Sequence, residues 1–175
     1  MVLALLELGG FDLGAHALMM ILSGLLAIGV GARAVGAVSE SREDSLVFML
    51  SLLVLMVTVA AGMSLGAPDA ETAMQWAKVD AMLTPFVPAM AYRLGVELDG
   101  GGRHGRYLSL GFIGVATFIG MFAFGGEVLI RGVHHFAFGW RPQLTGAGFV
   151  IIAFVVLVGL LAGSRFWNIY RRPPS

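Results

Sequence analysis

The sequence predicts an all-α, polytopic membrane bundle of five transmembrane helices, N-terminus out and C-terminus in. Three observations carry this. First, 58% of the 175 residues are hydrophobic and only 13% are charged. Soluble domains are about 25% charged, and so little polar surface cannot cover so much apolar surface in water. Second, the apolar residues gather in five segments, at about 13–32, 45–65, 74–94, 107–130 and 146–167. Third, the basic residues between the segments are plentiful on alternate sides. The formal net charge is zero and there is no cysteine. Nucleic acid is therefore not an expected partner, and disulfides, thiol catalysis and cysteine-held metals are excluded.

The opening residues, MVLALLELGGFDLG, lack a basic n-region and carry Glu7 and Asp12. They read as an interfacial lead-in to the first span and not as a signal peptide. Segments one, two, four and five each supply the roughly 20 apolar residues that a hydrocarbon layer of about 30 Å requires. Lipid offers no partner to an open backbone, so each should be a helix. Ser41-Arg42-Glu43-Asp44 ahead of segment two is capping chemistry.

Segment three, MQWAKVDAMLTPFVPAMAYRL, is weaker. Its strictly apolar part, 81–91, would rise only about 16 Å as a helix. It spans only if Trp76, Lys78 and Asp80 enter the outer part of the membrane. Pro85 and Pro88 predict a helix kink and freed carbonyls. Neighbouring helices must cover those carbonyls, so this helix is expected at the centre of the bundle. The connection GVELDGGGRHGR (95–106) reads as a solvated, glycine-rich inner turn in which Glu97, Asp99 and Arg103 need no special explanation. It lacks the strand and the Gly-Lys-Ser/Thr ending of a phosphate loop. RGVHHFAFGWRPQLTG (131–146) alternates aromatic and small residues, which suits a short hairpin or an interfacial segment.

Orientation follows from the positive-inside rule. With the N-terminus out, the inner side holds Arg33, Arg42, Arg93, Arg103, Arg106, Arg165, Arg171 and Arg172. The outer side holds Lys78, Arg131 and Arg141, making eight of the 11 basic residues against three. Trp76 and Trp140 then anchor the outer interface, and Trp167 and Tyr170 the inner one.

Lys78 and Asp80 are costly inside a span and are functional candidates for that reason. Two positions apart, they do not face each other on a helix. Asp80 can meet the Trp76 indole N–H one turn away, and Lys78 can snorkel to headgroups. An interface-anchored helix end, a ligand or ion site and a protein contact all remain open for the pair. With His16 and Glu127 they form a candidate outer polar cluster, suited to a small polar ligand, a lipid headgroup or pH sensing through His16. His16 on an apolar helix is also a potential porphyrin-metal ligand. His134 and His135 are adjacent, so their rings diverge and make a poor metal pair. No metal site, cofactor or catalytic set is predicted, since neither a triad nor His-Glu-x-x-His is present. Small-residue strips for helix contact run along Ser23, Ala27 and Gly31, along Gly62 and Gly66, and along Gly159 and Gly163.

Residues Trp76 through Trp140 carry a resemblance. Trp-Ala-Lys opens WAKVDAMLTPFVPAMAYRLGVELDGGGR, with paired prolines in mid-helix and a small polar loop with Gly-Arg. A further span follows, then HHFAFGW. In this order of features the chain resembles the seven-helix N-terminal membrane sensor region of bacterial histidine kinases. The resemblance extends over five helices. The tail SRFWNIYRRPPS brings no phosphoacceptor histidine in a kinase setting and no ATP-binding glycine motif. It implies a sensor-like or scaffold-like bundle in a bacterial inner membrane, without kinase activity of its own.

The expected function is that of a non-catalytic accessory or scaffold subunit. Its partners would be membrane lipids and other integral membrane proteins, in a larger respiratory or photosynthetic complex where pigment contact is possible. The alternatives are a stand-alone sensor that signals through a separate partner, and a small transporter. The last is weakened by the lack of an inverted repeat.

Overall fold

The computed structural model describes residues 28, 41–100, 102–136 and 139–171. Apart from Ile28, the first predicted span lies outside the described residues, and with it His16, Ser23, Ala27 and Gly31. The described residues are mostly helical, at 75%.

Helix α1 covers Arg42–Leu65. Ser41 caps it as its residue type suggests, its side chain accepting from the Asp44 backbone N–H at 3.0 Å. Glu43 and Asp44 in the first turn complement the helix dipole. The helix ends at Gly66, whose N–H donates to Gly62 O at 3.0 Å.

Helices α2, Ala70–Leu83, and α3, Phe86–Leu98, replace the single kinked span expected at 74–94. Thr84 and Pro85 between them keep right-handed helical dihedrals, so the helix is interrupted in its hydrogen bonding, and the prolines supply the reason. Neither has an N–H to donate, and each ring crowds the preceding turn. Position 88 can give nothing to Thr84 O. The Val87 N–H takes that carbonyl instead, at 3.2 Å, in a tighter turn. Thr84 and Pro85 form the joint.

Helix α4 spans Arg103–Gly125 and helix α5 spans Phe149–Tyr170. With 24, 23 and 22 residues, α1, α4 and α5 are each long and apolar enough to cross a membrane.

The all-α expectation also needs correcting, because strands β1 (Ile130–Phe136) and β2 (Gly139–Leu144) form an antiparallel hairpin. The fourth segment, expected to stay helical to 130, stops at Gly125. Two glycines (Gly125, Gly126) weaken helix propagation there. The residues beyond them, Val128, Ile130 and Val133, favour a pleated surface. Gly139 has φ +116°, a conformation that L side chains rarely adopt, and a Cβ there would collide with Leu65 O. Glycine at this position lets the ribbon lie on the end of α1.

Helices α2 and α3 occupy the centre. α2 packs against α1, α4 and the hairpin, while α3 packs against α1, α4 and α5. Close packing, rather than apolar transfer, drives helix association in lipid, and small residues permit it. Ala73, Ala77 and Ala81 recur every fourth residue on α2, and all are buried. Ala60 and Ser64 on α1 are buried too, and the Ser64 hydroxyl donates to Ala73 O at 3.1 Å. On α4, a Cβ at Gly120 would lie only 3.2 Å from Met82 O. The outward faces are apolar, with Phe118, Met121 and Leu160 63%, 69% and 70% exposed within the chain.

Candidate functional site

Two polar constellations sit at opposite ends of the α2–α3 pair. At the hairpin end, a cavity of about 270 Å³ lies between α1, α2 and β2. Ala61 and Ser64 line it from α1, Ala77 and Asp80 from α2, and Trp140 and Pro142 from β2. Small side chains on both helices make the room. Trp140 is held in place by its indole N–H, which donates to Ala67 O at 3.0 Å, and by the His135 ring opposite it, 4.8 Å away. The ribbon is thereby fastened to the α1–α2 turn.

Asp80 accepts from the Thr84 hydroxyl at 3.1 Å, one turn onward, and not from Trp76. Lys78 faces elsewhere. With Gln75, Trp76, Val79 and Phe124 it lines a separate groove between α2 and the end of α4. Glu127 is exposed in the bend between α4 and β1. Among the described residues, Lys78, Asp80 and Glu127 form no ion pair with one another. Asp80 therefore enters the cavity without either. His134 stacks edge-on against Phe136 at 5.0 Å and His135 against Trp140, so the two rings diverge. No group of three potential metal ligands occurs among the described residues.

The other end holds what the sequence reading missed. Glu97, expected in a solvated turn, sits on the last turn of α3 and is only 7% exposed. Arg93, one turn earlier, is also buried and pairs with it at 2.8 Å. Arg106 of α4 reaches the other carboxylate oxygen at 3.1 Å, and Arg42 of α1 approaches at 3.7 Å. Arg93 also donates to Ser109 Oγ at 2.9 Å, and Ser109 donates to Arg106 O at 2.8 Å. Beside this knot, Arg165 of α5 donates to Asp99 at 2.8 Å and to the Tyr92 hydroxyl at 3.3 Å. One carboxylate thus joins α3 to α1 and α4, and the next joins it to α5. The available signal was the i, i+4 spacing of Arg93 and Glu97, a helix-stabilising pair. The glycines that follow masked it by suggesting that the turn begins earlier.

The predicted packing strips lie as follows. Gly66 caps α1, and among the described residues a Cβ there would meet only Gly62 O of its own helix. On α5, Gly159 and Gly163 border an apolar groove of about 450 Å³ with Val57, Pro88 and Ala91. A Cβ at either glycine would meet no atom within 4 Å. Trp167 and Tyr170 are exposed at the end of α5, where the Arg171 guanidinium lies 4.7 Å over the Trp167 ring.

No protein-family model and no curated protein matches this chain.

Proposed function

We propose that this chain is a non-catalytic integral membrane module that works by contact, as an accessory subunit packed against a larger membrane assembly. It crosses a bacterial inner membrane five times. α1, α4 and α5 make three crossings, the stacked pair α2–α3 a fourth, and segment 13–32 the fifth. A respiratory or photosynthetic complex is the natural kind of host.

The unfilled strip on α5 carries this reading. Gly95, Gly105 and Gly120 already meet neighbouring helices closely, whereas Gly159 and Gly163 meet none of the described residues. A flat strip on an apolar helix suits close approach by another membrane helix. Purification in mild detergent tests the idea. The wild-type chain should migrate with a large complex, and Gly159→Leu with Gly163→Leu should release it while leaving it folded. A chain that migrates free, or Leu variants that stay bound, would overturn the proposal.

The cavity under the hairpin favours a second reading, a sensor module of the kind that the resemblance implies. Its walls belong to α2, and α2 continues through the proline joint into the ion-pair knot. Occupancy at one end could therefore bias the helix arrangement at the other. Cross-linking between α3 and α5 that changes with occupancy supports this reading, and cross-linking that never changes removes it.

A further inference from the structure

We propose that the cavity under the hairpin binds a small organic cation, with the Asp80 carboxylate as counter-ion and the Trp140 indole as an aromatic wall. Asp80 brings a carboxylate to a low-polarity site, and its one hydrogen-bond donor among the described residues is the neutral Thr84 hydroxyl. Among the described residues, no cation forms an ion pair with Asp80. Lys78 lines the groove on another side of α2. Arg141 lines the cavity beside Trp140, but its charged group is engaged at an aromatic ring of the facing strand. Its guanidinium lies 5.9 Å over the Phe136 ring. Asp80 is half-buried, and a partly dehydrated carboxylate without a charged partner is stabilised by a matching cation.

The remaining walls select the kind of cation. A divalent metal needs several oxygen or nitrogen ligands, and no three ligating side chains converge among the described residues. An ammonium group needs one carboxylate and gains from an indole face. Ala61, Ser64, Ala77 and Pro142 are uncharged walls that leave room beside Asp80, with Arg141 at the border and in no ion pair with it. The Ser64 hydroxyl is committed to Ala73 O, so it offers a ligand only its lone pairs. At about 270 Å³ the cavity lies near the lower edge of ligand pockets, which suits an ethanolamine- or choline-sized group. The same ammonium chemistry is offered by a free amine and by a phospholipid headgroup.

The test uses the full chain in nanodiscs, carrying Trp76→Phe and Trp167→Phe so that Trp140 is the sole indole. Choline chloride and ethanolamine hydrochloride are titrated in phosphatidylglycerol discs, with sodium chloride as the ionic-strength control. A saturable change in Trp140 emission assigns a free amine. A change that appears only when phosphatidylethanolamine or phosphatidylcholine replaces phosphatidylglycerol assigns the headgroup. Either result supports the proposal if Asp80→Asn weakens the response by about tenfold or more, the worth of one charge-assisted contact. Ala61→Leu, which fills the cavity and keeps the carboxylate, should abolish it and serves if Asp80→Asn fails to fold. No response in either lipid series, a response matched by sodium chloride, or one that survives both variants overturns the proposal.

Discussion

Glu97 shows how one side chain can hold several helices together. Its carboxylate is buried and meets Arg93, which is equally buried, and Arg106 and Arg42, which are largely exposed. Exposed pairs contribute little, about 0–1 kcal/mol, so the Arg93–Glu97 contact should dominate. Replacing one member of a buried pair strands the other charge and costs about 3–5 kcal/mol, whereas replacing both with apolar residues is often near neutral. Glu97→Gln should therefore lower stability by that amount in a denaturant titration, and Arg93→Met with Glu97→Leu should recover most of it. If the double variant is as unstable as the single one, the knot is not a paired unit. Asp69, the cap of α2, makes a smaller, pH-dependent contribution. The Thr72 backbone N–H and then its hydroxyl hold the Asp69 carboxyl below the usual carboxylate range. The stabilisation is thus present above the unfolded value of about 3.9 and disappears as pH falls through the folded value. The stability difference between wild type and Asp69→Ala should accordingly be constant near neutrality and shrink below about pH 4. A difference unchanged at low pH would show that the carboxylate is not the cap.

At the scale of elements, the hairpin depends on one glycine. Gly139 combines a positive φ with backbone contact to Leu65, so Gly139→Ala is strained in both respects. Its ribbon should lift from α1, breaking the Trp140 bond to Ala67 O. Trp140 emission should shift red in the single-tryptophan background while helicity is retained. An unshifted spectrum would mean that another contact holds the ribbon. The sequence announced some of these features and concealed others. Helices α1, α4 and α5 were readable because unbroken apolar runs of membrane length have few other solutions. The Ser41 cap was readable because it is local. The interruption at Thr84–Pro85 was visible as two prolines, but the tighter bond from the Val87 N–H to Thr84 O was not. The alternation in 131–146 admitted a hairpin. That this hairpin roofs a cavity over Asp80 depends on Trp140 reaching Ala67, 73 residues away in sequence, which no local pattern encodes. The knot was hidden for the same reason, since Arg42, Glu97 and Arg106 become neighbours only when three helices pack.

The whole molecule has two chemically different ends, and its placement in a membrane follows from how they differ. The α1–α2 turn and the hairpin form one end, which carries Lys78, Arg131 and Arg141. The α3–α4 turn and the end of α5 form the other, with Arg93, Arg103, Arg106, Arg165 and Arg171. Basic residues concentrate in cytoplasmic segments, so the knot end should face the cytoplasm and the Asp80 cavity the outside. Small cations would then reach the cavity without crossing the bilayer. The chain has no native cysteine, so sided labelling has no background. Gly102→Cys and Gly146→Cys are suitable probes, because a side chain at either meets no atom within 4 Å and both glycines are exposed. In intact cells, an impermeant maleimide should label Gly146→Cys readily and Gly102→Cys only after lysis. The reverse pattern would invert the molecule and turn the cavity towards cytoplasmic amines. Equal labelling of both in intact cells would place the two ends on one side, and then α4, which joins them through 23 apolar-rich residues, could not be a crossing.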